Sequence, residues 1–297
     1  MIERLRRWLR DPPPALAFEL SEEGIAVART GRPPRVAFQP LPSGVLAVSP
    51  LRDNVLDAEE LAAQIRALAG PRETRRRHDA VLILPDASVR VLVLDFDSLP
   101  STPSEQLALV RFRIRKGLPF DLDSAVLSYA VQPADGRRVE VVVAAAPLEV
   151  VARYEAPLRA YGLAPGLVTT STLAALELVR EPGAAVLMKL SGRFLTISVT
   201  DGGRLRLLRW IELSELSREE ILGPLFPTLA YAEDELGARA GKILLCGFGS
   251  RADWLRRELE QEIAAPAEPL RSRFGEVESY NAGLLGWLET VEEIRGT

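Results

Sequence analysis

The residues able to do side-chain chemistry are few, and their scarcity sets the first limits. Cys246 is the only cysteine and His78 the only histidine in 297 residues. No intramolecular disulfide can form, and neither a structural zinc site nor a histidine-rich metal centre has enough ligands. A Ser-His-Asp triad would have to use His78. That residue stands in the polar stretch Arg75-Arg76-Arg77-His78-Asp79, with no nucleophile elbow around it. A solvated loop histidine is the expectation. What remains is backbone chemistry. The apolar run 242–246 breaks at Gly247-Phe248-Gly249-Ser250 ahead of a helical pattern, and amides at such a helix start suit an anion.

Those groups need elements to hold them. Apolar and alternating runs predict strands at 15–20, 24–29 and 35–41. Asp57-Ala58-Glu59-Glu60 is a capping signature for a helix to about 69. Strands at 80–84 and 89–96 follow, around the turn Pro85-Asp86. Thr102-Pro103-Ser104-Glu105 supplies an N-cap, a first-position proline and a third-position glutamate for a helix to about 116, stopped by Gly117 and Pro119. Strands at 124–131 and 138–145 lead to a helix at 147–161. The second half begins near 163. It holds strands at 184–190, 194–200 and 204–211, a helix at about 217–236 broken near Gly223-Pro224 and Pro227, a strand at 242–246, and helices at 253–263 and about 279–288. The plan of strand, tight turn, strand, polar turn, strand occurs twice, at 15–41 and 184–211. Such repetition predicts a duplicated fold whose first turns face a shared cleft.

Composition narrows the function. With 47% hydrophobic and 26% charged residues, the chain has the make-up of a packed globular protein. A net charge of −4 argues against nucleic acid as a partner. No apolar stretch approaches the roughly 20 residues of a membrane span. The charged residues 1–10 do not read as a secretory signal, so a cytoplasmic location is expected. Ile2, Leu5, Trp8 and Leu9 share a helical face apart from most of Arg4, Arg6, Arg7 and Arg10. That face suits a membrane surface or packing against protein. Asp11-Pro12-Pro13-Pro14 sets this segment, 1–14, off from the rest.

Several segments, taken in order, carry a resemblance. They are Leu82-Ile83-Leu84-Pro85-Asp86-Ala87-Ser88-Val89, Gly117-Leu118-Pro119-Phe120, the pair 144–149 and 161–165, Ile243-Leu244-Leu245-Cys246-Gly247-Phe248-Gly249, and Tyr280-Asn281-Ala282-Gly283-Leu284-Leu285-Gly286. Their order resembles the actin-like ATPase superfamily, and within it the PilM family, cytoplasmic components of type IV pilus assembly. The resemblance implies an α/β, duplicated actin-like (ribonuclease H-like) two-lobed fold with an inserted small α+β subdomain. The first lobe would span 15–162, with the insertion at about 80–146, and the second 163–297.

In nucleotide-binding members, an Asp in each first turn helps hold hydrated magnesium, and Gly and Ser backbones wrap the phosphates. The matching positions here hold Glu19, Ser21 and Glu22 in one lobe and Lys189, Ser191, Gly192 and Arg193 in the other. Phe248 stands between Gly247 and Gly249, where backbone would approach adenosine. Carboxylates repel phosphate, and lysine does not ligate magnesium. The resemblance therefore implies a degenerate nucleotide cleft with no catalytic residue, no metal and no resident cofactor. ATP and magnesium would fit only a cleft less altered than this one reads. Glu19 and Lys189 are expected to form a direct ion pair in place of the metal. The alternative is that Lys189 and Arg193 bind phosphate.

By the same resemblance the function is that of a scaffold in a type IV pilus or related secretion machine. It would bind the cytosolic tail of a PilN-like inner-membrane protein, together with other pilus or secretion subunits, without hydrolysing ATP. Leu107, Val110, Phe112, Leu118 and Phe120 are the candidate contacts, with ordinary core as the competing reading. A working actin-like ATPase is one alternative. A membrane tether similar to FtsA or GspL is another; the missing span counts against GspL, and the acidic 289–297 differs from FtsA's amphipathic tail.

Overall fold

The computed structural model describes residues 13–71, 78–133, 138–263 and 265–296. Apolar side chains on both faces make the opening run a central strand, and all of β1 (Leu16–Leu20) is buried. It continues into β2 (Gly24–Arg29) and β3 (Arg35–Pro40) as an antiparallel meander. Asp57 caps α1 (Ala58–Ala69) by accepting the Glu60 N–H at 3.0 Å, which satisfies one amide left orphaned at the helix start. β4 (His78–Leu84) then returns parallel to β1.

An insertion follows, made of β5 (Arg90–Phe96), α2 (Pro103–Ile114), β6 (Ala125–Val131) and β7 (Val139–Pro147). Its strands lie in the order β5-β7-β6, and α2 covers one face through Val110 and Ile114. The Thr102 hydroxyl caps α2 as expected, accepting the Glu105 N–H at 3.4 Å and donating to the Glu105 carboxylate at 2.7 Å. α3 (Leu148–Ala160) leads to β8 (Leu163–Thr170), which pairs with β4 and so belongs to the first sheet. This moves both expected limits. Residues 80–84 pair with β1 and precede the insertion, and the crossing to the second lobe comes after Thr170.

α4 (Ser171–Ala175) begins that crossing. β9 (Ala185–Ser191), β10 (Phe194–Asp201) and β11 (Arg204–Glu212) repeat the meander. α5 (Arg218–Leu222) and α6 (Leu225–Asp234) divide at Gly223-Pro224. β12 (Lys242–Cys246), α7 (Ala252–Ile263), β13 (Ala267–Pro269) and α8 (Ala282–Gly296) complete the order.

The two five-stranded sheets run β3-β2-β1-β4-β8 and β11-β10-β9-β12-β13, one topology used twice. Register carries the duplication down to single residues. Glu19 faces Ala26 across the first hairpin, and Lys189 faces Thr196 across the second at the same distance from the turn. Their parallel neighbours are Ile83 and Cys246. Glu19 and Lys189 are thus equivalent positions of the two lobes.

α8 starts later than the pattern predicts. The Asn281 side chain accepts the Glu278 N–H at 2.8 Å and turns the chain before Ala282. α8 and α4 fill the space between the sheets, in a cluster with Ala17, Ile83, Leu187 and Leu244. Two glycines allow this approach. A Cβ on Gly286 would lie 2.1 Å from the Ala174 carbonyl oxygen, and one on Gly283 would lie 2.8 Å from that of Ser171. Gly286→Ala is therefore expected to push the helices apart and lower stability by about 1–3 kcal/mol. Gly183→Ala, whose Cβ meets nothing within 4 Å, leaves stability unchanged, and urea denaturation compares the two.

Candidate functional site

Both first strands deliver a charged side chain to the space between the lobes, and both charges are buried, Glu19 at 1% exposure and Lys189 at 2%. They do not pair with each other, contrary to expectation. The Glu19 carboxylate accepts the Ser171 hydroxyl and, at 2.7 Å, the Leu284 N–H in the first turn of α8. It acts as an anion at a helix N-terminus, where backbone dipoles favour it. The Lys189 ammonium turns instead to Asp86, with Nζ 3.3 Å from Oδ2.

Asp86 is placed to receive it. It lies just past β4, after Pro85, and holds the start of α4 by accepting the Thr172 N–H at 2.7 Å and the Thr172 hydroxyl at 2.6 Å. The Thr196 hydroxyl, on the hairpin partner of Lys189, adds a fourth donor at 3.3 Å. First-lobe carboxylate and second-lobe ammonium thus form an inter-lobe ion pair whose anion is fully solvated by protein donors. Burial of both charges costs free energy that this geometry offsets.

The titration behaviour follows. Burial pushes the Glu19 carboxyl above its ordinary range, against the opposing pull of Lys189 and its two hydrogen bonds. Burial alone would lower Lys189, but attraction to Asp86, with smaller contributions from Cys246 and Glu19, holds it above its ordinary value. Cys246, beside Lys189 on β12, is buried and its thiol is pushed up to about 12, chiefly by desolvation.

The turns around this pair are spent on one another. Ser21 folds its own turn, exchanging bonds with Gly24. Glu22 accepts the Val48 N–H at 2.6 Å, and its other oxygen borders Gly192 of the second turn. Glu23 accepts the Ser279 hydroxyl at 2.8 Å. Arg193 leaves the cleft for Glu212, 2.8 Å away, and for the Phe194 ring. Phe194 and Trp210 meet edge to face and close over Val48 and Ala87. The void left among Ser21, Glu22, Ser191, Gly192 and Phe194 measures about 20 Å³. A pocket for a ligand of nucleotide size needs roughly 300 Å³ or more.

Other expectations fare unevenly. Gly247 is required, since a Cβ there would sit 2.1 Å from the Leu190 carbonyl oxygen. Phe248 does not fill an adenosine site; its ring is buried in the second-lobe core with Met188 and Leu255, where an aromatic gains most from leaving water. Gly249 begins the short turn before α7 in an open setting. His78 opens β4. Ile2, Leu5, Trp8 and Leu9 lie outside the described residues. Among the described residues no group of His, Cys, Asp and Glu is arranged to hold a metal ion.

The five candidate contacts of the insertion are not one surface. Val110 is fully buried, and Leu118 and Phe120 pack partly buried against the same core. Leu107 is 36% exposed and Phe112 79%, and helical spacing sets them on different faces of α2. Reasoning from the sequence also missed Asp86, Ser171, Thr172, Thr196, Phe194 and Trp210. Only Asp86 left a trace, as an acidic residue straight after a buried strand.

Among solved structures, the chain is similar to a chain of a PilM–PilN type IV pilus biogenesis complex, with a TM-score of 0.74 and 22% identity over 95% of this chain and 99% of that one. It is similar to a protein of actin-like ATPase fold from Bacteroides thetaiotaomicron, with a TM-score of 0.51 and 12% identity over 88% and 92%. It also resembles the cytoplasmic domain of EpsL, an inner-membrane component of the Vibrio cholerae type II secretion system, at 0.49 and 13% over 94% and 93%, too faintly to support an argument. No protein-family model matches the chain, and no curated protein matches it. The chain therefore has a two-lobed actin-like fold.

Breaking the pair from one side leaves a buried charge. Lys189→Met is expected to cost about 3–5 kcal/mol, and adding Asp86→Asn to it less than the sum of the single changes. The Lys189 contribution is present below pH 10.5 and fades as pH rises through the raised folded value, so the gap between wild type and Lys189→Met in urea narrows there. Cys246 reports on the same place. Burial keeps this thiol well above its ordinary range, so iodoacetamide at pH 8 is expected to label it only after denaturation, which mass spectrometry reads directly.

Proposed function

We propose that the chain is a PilM-like scaffold that binds no nucleotide for its work and hydrolyses none. The observation that carries this reading is the inter-lobe pair of Lys189 and Asp86, 3.3 Å apart and buried where the two lobes meet. A fixed ammonium takes up the carboxylate that a bound cation would need, and the neighbouring turns leave room for little more than a water molecule. In such a site no phosphate is welcome, because Glu22 and Glu23 occupy the turn.

The partner we infer is the cytosolic tail of an inner-membrane protein, PilN-like by analogy with the complex named above, with other pilus or secretion subunits assembled around it. No helix among the described residues is long and apolar enough to cross a membrane, which agrees with work at the cytoplasmic side through such a partner. The insertion makes a firm platform. Gln132 exchanges two hydrogen bonds of 2.8 Å with the Leu205 backbone, Glu140 pairs with Arg206 at 2.8 Å, and the Trp210 indole donates to the Val89 carbonyl. These contacts tie it to β11 of the second lobe. β6 is an edge strand with Val126 and Val131 exposed, so an extended tail can add to it as a further strand.

Two measurements on the purified chain test the reading. A peptide of the partner's cytosolic tail is expected to bind in calorimetry, and Val126→Asp weakens it without moving the melting temperature. Saturating Mg·ATP is expected to leave the melting temperature where it is. A rise of several degrees, as tight binding to the folded state produces, contradicts the proposal.

A further inference from the structure

Phe112 is the most exposed large apolar side chain among the described residues. It projects from the last turn of α2, whose opposite face is anchored in the insertion's core by Val110 and Ile114. Arg115, three residues on and still helical in its backbone, lies beside it; Arg113 adjoins it in sequence, and Lys116 stands in the turn that follows the helix. All three cations are exposed, and among the described residues no ion pair engages them. The acidic groups close by in sequence are committed: Asp123 is held by Arg111 at 2.9 Å, and Asp121 caps the turn that follows it. A helix dipole rewards cations at a C-terminus but gives no reason for an exposed phenyl ring among them.

The geometry points to a peripheral membrane contact at this tip, with Phe112 entering the lipid interface and Arg113, Arg115 and Lys116 meeting anionic phospholipid headgroups. At 79% exposure the Phe112 ring is enclosed by no groove. A peptide needs walls on both sides of its anchor, whereas a bilayer supplies a deformable, negatively charged plane. Charge complementarity also sets the tip apart, since the chain as a whole carries a net charge of −4 and is repelled by such a surface. Contact here would orient the insertion towards the bilayer. The contact is independent of segment 1–14 and of the tail docking proposed for β6.

Vesicle flotation with the full chain tests it, using phosphatidylcholine with and without phosphatidylglycerol. The wild type is expected to float only with the anionic lipid and to release as salt screens the contact. Phe112→Ser combined with Arg115→Glu and Lys116→Glu is expected to lower the bound fraction by about tenfold or more, since each cation near an anionic surface contributes roughly a fivefold factor. All three positions are exposed, so an unchanged urea midpoint checks that the fold is intact. Segment 1–14 is present in both proteins, and equal flotation of the two would assign binding elsewhere and overturn the inference. Failure of the wild type to float also overturns it, and loss of an acidic protein partner by the variant would then give the tip to protein.

Discussion

One buried ion pair sets the terms for the rest of this molecule. Lys189 and Asp86 come from different lobes, and neither can be left alone at that depth. Asp86 is at once the partner of the ammonium and the acceptor for the amide and hydroxyl of Thr172 in α4. Glu19, a short way off, does the same for α8 while drawn to the same cation. The charges and the two helices between the sheets are therefore one arrangement. To swing the lobes apart would strip the cation of its carboxylate and expose the Phe194–Trp210 seal to water.

Duplication explains why this solution was available. Two copies of one topology bring equivalent residues of β1 and β9 towards a common axis. Like charges there would repel unless a cation lay between them. Opposite charges need no third party. Lys189 attracts both Asp86 and Glu19, and the hydroxyls of Ser171, Thr172 and Thr196 add hydrogen bonds to the two carboxylates. The lysine pairs with Asp86, which three other donors already hold in place, and not with Glu19, which already serves α8.

Much of the architecture was legible in local pattern. The hairpins, the N-caps at Asp57 and Thr102 and the break at Gly223-Pro224 depend on neighbours in sequence, and they were read correctly. β8 was missed because Pro165 and Gly166 punctuate it. The pairing of Ala80 with Pro165 and of Val81 with Leu167 skips Gly166 as a bulge, so a real strand carries turn residues. The site was half legible. Position and charge of Glu19 and Lys189 were visible, but their partners come from Asp86, Ser171 and Leu284, remote in sequence, and no period or motif reports such meetings. Phe248 misled for the opposite reason. A bulky residue between glycines looks like an obstruction, yet the turn, with a positive φ at each glycine, aims its ring into the core.

The central claim is that the lobes are held together by the protein's own cation and not by a nucleotide. Spin labels at Glu59→Cys on α1 and Arg257→Cys on α7, both exposed and one on each lobe, measure this by electron–electron resonance once buried Cys246 is replaced by serine. The account predicts one narrow distance distribution, the same with and without Mg·ATP. A broad distribution that narrows or shifts when Mg·ATP is added would contradict it.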